Sequence, residues 1–192
     1  MNHTSTTSNP PRMTPVPDSA LGPPALVQAI AQRRGGTLLN LDRMLLRSPV
    51  FASGWNGFMG TIRTQLSLDP CLRELAICTV AVETDAAYEW SQHAPEFLAA
   101  GGSQAQLDAL QGDNPAVNAQ AFDATQRAVI ALAQAMTRDV RVDDAVFSAV
   151  QALLPAPQQQ VELVGVIASY NMVSRFLVAL QVPMEASAPA GQ

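Results

Sequence analysis

The run PCLRELAICTVAVET, residues 70–84, constrains the chain more than any other stretch. Its residues Leu72, Leu75, Ala76, Thr79, Val80 and Val82 cover most of a helical circumference, so a helix here has to be central. Asp69-Pro70 supplies a capping residue and then a proline at the first helical position. In the middle of this run sits Glu74, and a carboxylate on a buried helix is costly unless it faces solvent or meets a partner from a neighbouring helix.

Around this helix the pattern is helical throughout. ALVQAIAQRR stops at Gly35-Gly36, TLLNLDRMLLR runs to Ser48-Pro49, and VFASGWNGFMGTIRTQL follows with three glycines that point to close packing or a bend. After the central helix, Thr84-Asp85 reads as a fresh cap for AAYEWSQHAPEFLAA, which carries Pro95 inside it and ends at Gly101-Gly102. Ser103 caps a short helix to Leu110. Further helices are expected from about Ala119 to Thr137, Asp143 to Leu153 and Pro157 to Leu180. Nothing alternates with period two for long enough to make a sheet. The expectation is an all-α fold of seven or eight helices over residues 25–185, with a flexible arm at 1–24 and a disordered tail at 186–192.

A net charge of −5 with eleven scattered cationic residues argues against nucleic-acid binding. All eleven are Arg, and with no Lys a Schiff-base mechanism is excluded. Cys71 and Cys78 lie two helical turns apart, about 10 Å along a helix, beyond an unstrained disulfide, so they read as small buried hydrophobes. No apolar run reaches the roughly twenty residues of a membrane span and the first residues lack a signal-peptide core, so no membrane partner is expected and the chain is expected to be soluble and cytoplasmic.

The stretch YEWSQH, residues 88–93, holds the only histidine besides His3 of the N-terminal arm. Glu89 and His93 stand four residues apart, on one helix face, where a carboxylate can fix an imidazole tautomer and sharpen the other nitrogen as a base. Taken alone, such a pair is more often a solvated surface pair than a site. The short junction at Thr84-Asp85 brings this helix back beside the central one, within possible reach of Glu74. Glu74, Glu89 and His93, walled by Tyr88 and Trp90, would form a low-dielectric pocket for proton transfer.

The segment RELAICTVAVETDAAYEWSQHAPEFLAAGGS strongly resembles the carboxymuconolactone decarboxylase family, also called the alkylhydroperoxidase D (AhpD)-like family, and later segments extend the resemblance from about Leu38 to Glu185. The resemblance implies an AhpD-like helical bundle. In the family's peroxidase branch a Cys-x-x-Cys pair precedes a histidine, with a relay glutamate upstream; aligned on His93, these cysteines fall on Ala86 and Glu89 and the glutamate on Glu74. Peroxide reduction of this type needs a thiolate and a resolving thiol, which Ala86 and Glu89 cannot supply. The family's decarboxylase branch lacks the dithiol.

The first expectation is therefore a lyase or isomerase without metal or cofactor, acting on a small carboxylated lactone or related acid, with His93 as general base or acid, Glu74 as its partner and Glu89 as a second proton carrier. Arg63, Arg73 and Arg175 are candidate carboxylate clamps, each also readable as a salt-bridge residue, and Asn171 with Arg175 as a structural pair. A non-catalytic small-molecule binder or oligomeric protein is the alternative, and a thiol peroxidase comes last. The apolar helix surfaces and the resemblance together imply a homo-oligomer, a trimer or dimer of trimers, with the pocket near a subunit interface; Tyr170-Asn171-Met172 are further candidates to line that pocket.

Overall fold

The computed structural model describes residues 10–112 and 120–185. Among these residues there are nine α-helices and no strand: α1 (Pro24–Arg33), α2 (Asn40–Leu45), α3 (Pro49–Thr64), α4 (Pro70–Glu83), α5 (Ala87–Ala99), α6 (Gln104–Gln111), α7 (Ala124–Arg138), α8 (Asp144–Leu153) and α9 (Pro157–Leu180). Eight have more than six residues, as the sequence leads one to expect, and the ninth is the six-residue α2. The chain divides into two compact units, residues 1–60 with 177–192, and residues 61–176.

In the first unit, Asp42 is wholly buried, a position a carboxylate tolerates only when paired. Arg34 donates to it from Nε at 2.9 Å, Arg33 approaches at 3.4 Å, and the Leu39 amide donates at 3.0 Å. Ile30, Leu41, Met44, Leu45, Trp55 and Met59 pack as its apolar core. Residues 10–24, expected to belong to a flexible arm, are pinned here. The Arg12 amide donates to Leu180 O at 3.1 Å, Val16 is buried with its amide on Arg43 O, and Arg47 donates to Thr14 O. These backbone bonds need no apolar sequence, which is why composition alone misread the stretch. Residues 1–9, with His3, the tail 186–192 and Ala119 lie outside the described residues; the helix expected from Ala119 is interrupted at Phe122 and Asp123, and α7 starts at Ala124 with Asp123 as its cap.

In the second unit, α4 packs against α5, α6 and α7, and α7 against α8. Residues Glu74 to Ala81 are buried without interruption, which is the all-round burial its composition predicts. Asp69 caps α4 by accepting from the Leu72 amide at 3.0 Å, and Pro70 takes the first turn, as read from sequence. Glu83 ties the far end of α4 to α7 by accepting from Gln134 at 2.9 Å and from Arg138.

The α4–α5 junction differs from the sequence reading. Asp85 is not an N-cap: it adopts a left-handed conformation (φ 52°), with its amide donating to Val82 O at 3.2 Å and the Ala86 amide to Ala81 O at 2.9 Å. Those two bonds are a Schellman motif closing α4. Ala86 then starts α5 without a side-chain cap. The same motif, with glycine in the left-handed position, ends α5 at Gly101, where the Gly102 amide donates to Phe97 O at 2.9 Å. α5 continues as helix through Pro95.

Helix α9 is long and apolar enough to cross a membrane by length and composition, and half of its most apolar window is buried within the fold. This corrects the expectation that no span-length apolar run exists: Glu162 and Arg175 interrupt the run as sequence, yet the helix average remains apolar. Leu163, Val166, Ile167, Tyr170, Val173 and Ser174 are buried at helical spacing, the pattern of a core helix face.

A Cβ at Gly102 would stand 2.3 Å from the ring of Phe97, which is fully buried and cannot swing aside. Gly102→Ala is therefore expected to lower stability by about 2–3 kcal/mol, an overpacking cost read by denaturant titration.

Candidate active site

Glu74 of α4, His93 of α5 and Tyr170 of α9 meet inside the second unit. Four residues before His93 on α5, Glu89 points to Ser174, which stands four residues beyond Tyr170 on α9. His93 Nδ1 lies 2.7 Å from Glu74 Oε2, and Arg73 donates from Nε to Glu74 Oε1 at 3.1 Å. Both carboxylate oxygens of Glu74 are thus engaged from opposite sides. The Tyr170 ring stands edge-on to the imidazole, with centroids 4.8 Å apart and planes at 86°, which fixes the ring plane. The α4–α5 turn makes this meeting possible by placing His93 opposite Glu74 across two packed helices.

The electrostatics assign protons. Burial pushes the Glu74 carboxyl up, but the hydrogen bond from His93 and the charges of His93, Arg73 and Arg63 outweigh it and leave the group below its ordinary value. Burial drives His93 down; Glu74 opposes this and Arg63 adds to it, with the net shift downward from 6.5. At neutral pH Glu74 is therefore a carboxylate and His93 a neutral imidazole. An ionised carboxylate only accepts, so the imidazole proton sits on Nδ1 and the lone pair on Nε2.

Glu89 has the opposite character. It is 1% exposed, and burial raises its carboxyl well above 4.5, against the pull of a hydrogen bond from Ser174. The Ser174 hydroxyl lies 3.0 and 3.1 Å from the two carboxyl oxygens and 2.7 Å from Tyr170 O. A hydroxyl has one proton, which Ser174 shares between Tyr170 O and the Glu89 carboxyl. Shared in this way, the hydroxyl offers Glu89 little to offset its burial, so the carboxyl is held well above its ordinary value. Cys78, fully buried one turn beyond Glu74, is pushed far above the ordinary thiol range by burial and then by Glu74 and Glu89. Cys71 is also raised, by burial and the charges of Asp69 and Asp123. Both thiols are free, and neither is a thiolate at neutral pH.

Of the residues named from sequence, Glu74 and His93 are joined directly. Glu89 does not pair with His93; its partner is Ser174. Tyr88 is buried, and its carbonyl accepts from the Ser91 hydroxyl at 2.8 Å. Trp90 lines a separate cleft of about 270 Å³ beside Asp85, Ala86 and Gln111. Arg175 donates to the carbonyl and side-chain oxygen of Asn171, whose amide donates to Thr137 at 2.9 Å. The structural reading of Asn171 and Arg175 is the one observed. Met172 is exposed. Arg73, another candidate clamp, is committed to Glu74. Ser174 was missed; the signal for it is a polar residue one turn after Tyr170 in an otherwise apolar helix. Among the described residues no group of three or more His, Cys, Asp or Glu is arranged to hold a metal ion.

Residues 49–134, which contain Glu74, Cys78, Glu89 and His93, match the model of the carboxymuconolactone decarboxylase family. No curated protein sequence matches the chain. Among solved structures, an uncharacterized peroxidase-related protein with an alkylhydroperoxidase AhpD core from Ralstonia eutropha JMP134 is similar at TM-score 0.77 and 17% identity, covering 92% of this chain and 94% of that one. A second uncharacterized peroxidase-related protein, from Silicibacter sp. TM1040, is similar at TM-score 0.74 and 17% identity, over 93% and 95% of the two chains. The debrominase Bmp8 in complex with 2,3,4-tribromopyrrole is similar at TM-score 0.72 and 17% identity, over 90% and 91%. Identities this low speak to the fold alone. The chain has the AhpD-like all-α fold, and its segment 49–134 matches the carboxymuconolactone decarboxylase family model, without a Cys-x-x-Cys pair.

Proposed function

We propose that the protein is an acid/base lyase or isomerase of the carboxymuconolactone decarboxylase type, working without a cofactor on a small carboxylated lactone or related aromatic-catabolism acid. The observation that carries the reading is the buried Glu74–His93 hydrogen bond of 2.7 Å, with Arg73 on the far oxygen of Glu74. It leaves Nε2 of His93 as a base held in one tautomer in a low-dielectric setting. His93 takes the proton, Glu74 orients the ring and stabilises the imidazolium that forms, and Glu89, held protonated, is the second proton carrier. Two carboxyl groups whose surroundings drive them to opposite protonation states are the pattern that separates acid from base in such sites.

A peroxidase reading is disfavoured by the same groups. The position of one redox cysteine is occupied by Glu89 and the other by Ala86, and the buried Cys78 thiol is held protonated. The names of the peroxidase-related and debrominase neighbours therefore do not carry over. Two unpaired cysteines fit a cytoplasmic location.

We also propose that the chain self-associates, as a trimer or a dimer of trimers. Val50 (86% exposed), Phe51 and Phe58 lie on one side of α3 and leave an apolar face that a second copy would cover. Analytical ultracentrifugation should find that oligomer, and Phe51→Asp with Phe58→Asp should reduce it to monomer. A monomeric wild type contradicts the proposal.

His93→Ala or Glu74→Gln should lower kcat/KM on a carboxylated lactone by about 10²–10⁴-fold with the helical circular dichroism unchanged; wild-type rates in either variant would sink the acid/base assignment. Because His93 must be neutral to act as base and burial lowers its pKa, the acid-side fall of kcat/KM should have its midpoint below 6.5. Glu89 yields a stability test. The folded state keeps a proton that the unfolded chain releases above 4.5, so stability drains away as pH rises from there through the raised folded value. Glu89→Gln should abolish that loss, and its thermal midpoint should overtake that of the wild type as pH increases; parallel midpoints would mean Glu89 is ionised in the fold.

A further inference from the structure

Glu89 and His93 stand one turn apart on α5, Ser174 and Tyr170 one turn apart on α9, and the pairs meet as two rungs. The imidazole lies against the Tyr170 ring with centroids 4.8 Å apart, and the two oxygens of the Glu89 carboxyl lie 3.0 and 3.1 Å from the Ser174 hydroxyl. The second rung is closed to water, with Glu89 and Ser174 each 1% exposed. A carboxyl buried there has to find its hydrogen bonds within the protein, whichever protonation state it takes. The other titratable groups about it are Cys78 and Glu74 of α4, Tyr170 of α9 and His93 on its own helix, and among the described residues none of these hydrogen-bonds to its carboxyl.

Ser174 serves both states. Its oxygen is within hydrogen-bond distance of both Glu89 oxygens and, at 2.7 Å, of Tyr170 O. A hydroxyl carries one proton and two lone pairs, and rotation about its C–O bond moves the proton without moving a heavy atom. With that proton on Tyr170 O, Ser174 accepts from a protonated Glu89; with the proton turned the other way, it donates to the carboxylate. Tyr170 O loses little in the exchange, because it lies inside α9 and keeps the helical bond from the Ser174 amide. Thr79, Thr84 and Ser169 also donate to the carbonyl four residues back, but of these four hydroxyls only that of Ser174 has a carboxyl as its second neighbour. We propose that Ser174 is the positioning residue for Glu89: its hydroxyl turns between Tyr170 O and the carboxyl as Glu89 gives up and regains a proton, so that neither state of the buried group is left unpaired. The proton that Glu89 gives goes to the substrate, and Ser174 keeps its own throughout. The inference rests on the reading of Glu89 as second proton carrier and adds to it the residue that lets a buried carboxyl cycle.

The test uses the full-length chain with its glutamate carboxyl and serine Cβ carbons labelled, followed by carbon NMR across pH, with Glu89→Gln and Ser174→Ala identifying the two resonances. In the wild type the Ser174 Cβ resonance should move with the same midpoint as the Glu89 carboxyl. A bond donated to a carboxylate is stronger than one accepted from a neutral acid, so Ser174→Ala should raise the Glu89 midpoint by about one pH unit. The alkaline limb of kcat/KM on a carboxylated lactone should move up with it, and kcat should fall about tenfold with KM unchanged. Ser174→Thr should restore all three, since Thr79 and Thr84 already hold a threonine hydroxyl on the carbonyl one turn back. Lost packing alone would lower the thermal midpoint of Ser174→Ala and leave the Glu89 titration in place. A Glu89 carboxyl that does not titrate short of unfolding, a Ser174 resonance indifferent to it, or an unchanged Glu89 midpoint in Ser174→Ala overturns the proposal; the first two are read on the wild type, whatever the fate of the variant. The two readings fail separately. Full turnover in Glu89→Gln with the Glu89 midpoint still dependent on Ser174 removes the role of Glu89 in turnover and leaves the exchange. Inactive Glu89→Gln with the Glu89 midpoint indifferent to Ser174→Ala removes Ser174 alone.

Discussion

A carboxylate in the middle of the most buried helix is the constraint on which the second unit depends. Glu74 is 1% exposed, and left unpaired there it would destabilise the fold by several kcal/mol. Its two oxygens are matched from two directions, by Arg73 on its own helix and His93 on the next. Meeting that demand fixes the rotation of α5 against α4, aims the imidazole inward, and places Tyr170 of α9 against the ring. Packing alone would tolerate several rotations of two apolar helices; the buried pair admits one.

From that arrangement the chemistry follows by contrast between like groups. Glu74 and Glu89 are both carboxyl groups, both buried, on adjacent helices. One faces a guanidinium and an imidazole and stays ionised, the other faces only a hydroxyl shared with Tyr170 O and is held well above its ordinary value by burial. No unusual side chain is needed to drive two buried carboxyl groups on adjacent helices in opposite directions, only different neighbours.

Much of this was legible in the sequence. The run 70–84 announced a central helix through its apolar circumference, and Glu74 stood out in it because nothing else there was polar enough to need a partner. The spacing of Glu89 and His93 located the facing helix but suggested the wrong pairing, since an i, i+4 relation says which side chains share a face and not which of them turns to a third helix. Ser174 and Tyr170 come from a helix some eighty residues downstream of Glu89, a separation that no local pattern spans. Arg175 was attractive as a cation near the end of a polar cluster, yet its own helix already offered Asn171 one turn back. Asp85 looked like a helix-starting cap, and only backbone dihedrals reveal that it ends the preceding helix instead. Residues 10–24 lack the composition to order themselves, and are ordered by backbone bonds to carbonyls contributed from elsewhere in their unit.

The left-handed turn at Asp85 leaves no slack between α4 and α5. Ala86 both completes the closure of one helix and begins the next, so the angular register of His93 is geared to that of Glu74 through a single residue. Each residue of α-helix advances the rotation by about 100°, so adding or removing one at this corner would swing the imidazole out of the site altogether. An architecture geared in this way can change its chemistry only by exchanging side chains at fixed stations along the two helices, and not by remodelling the loop that joins them.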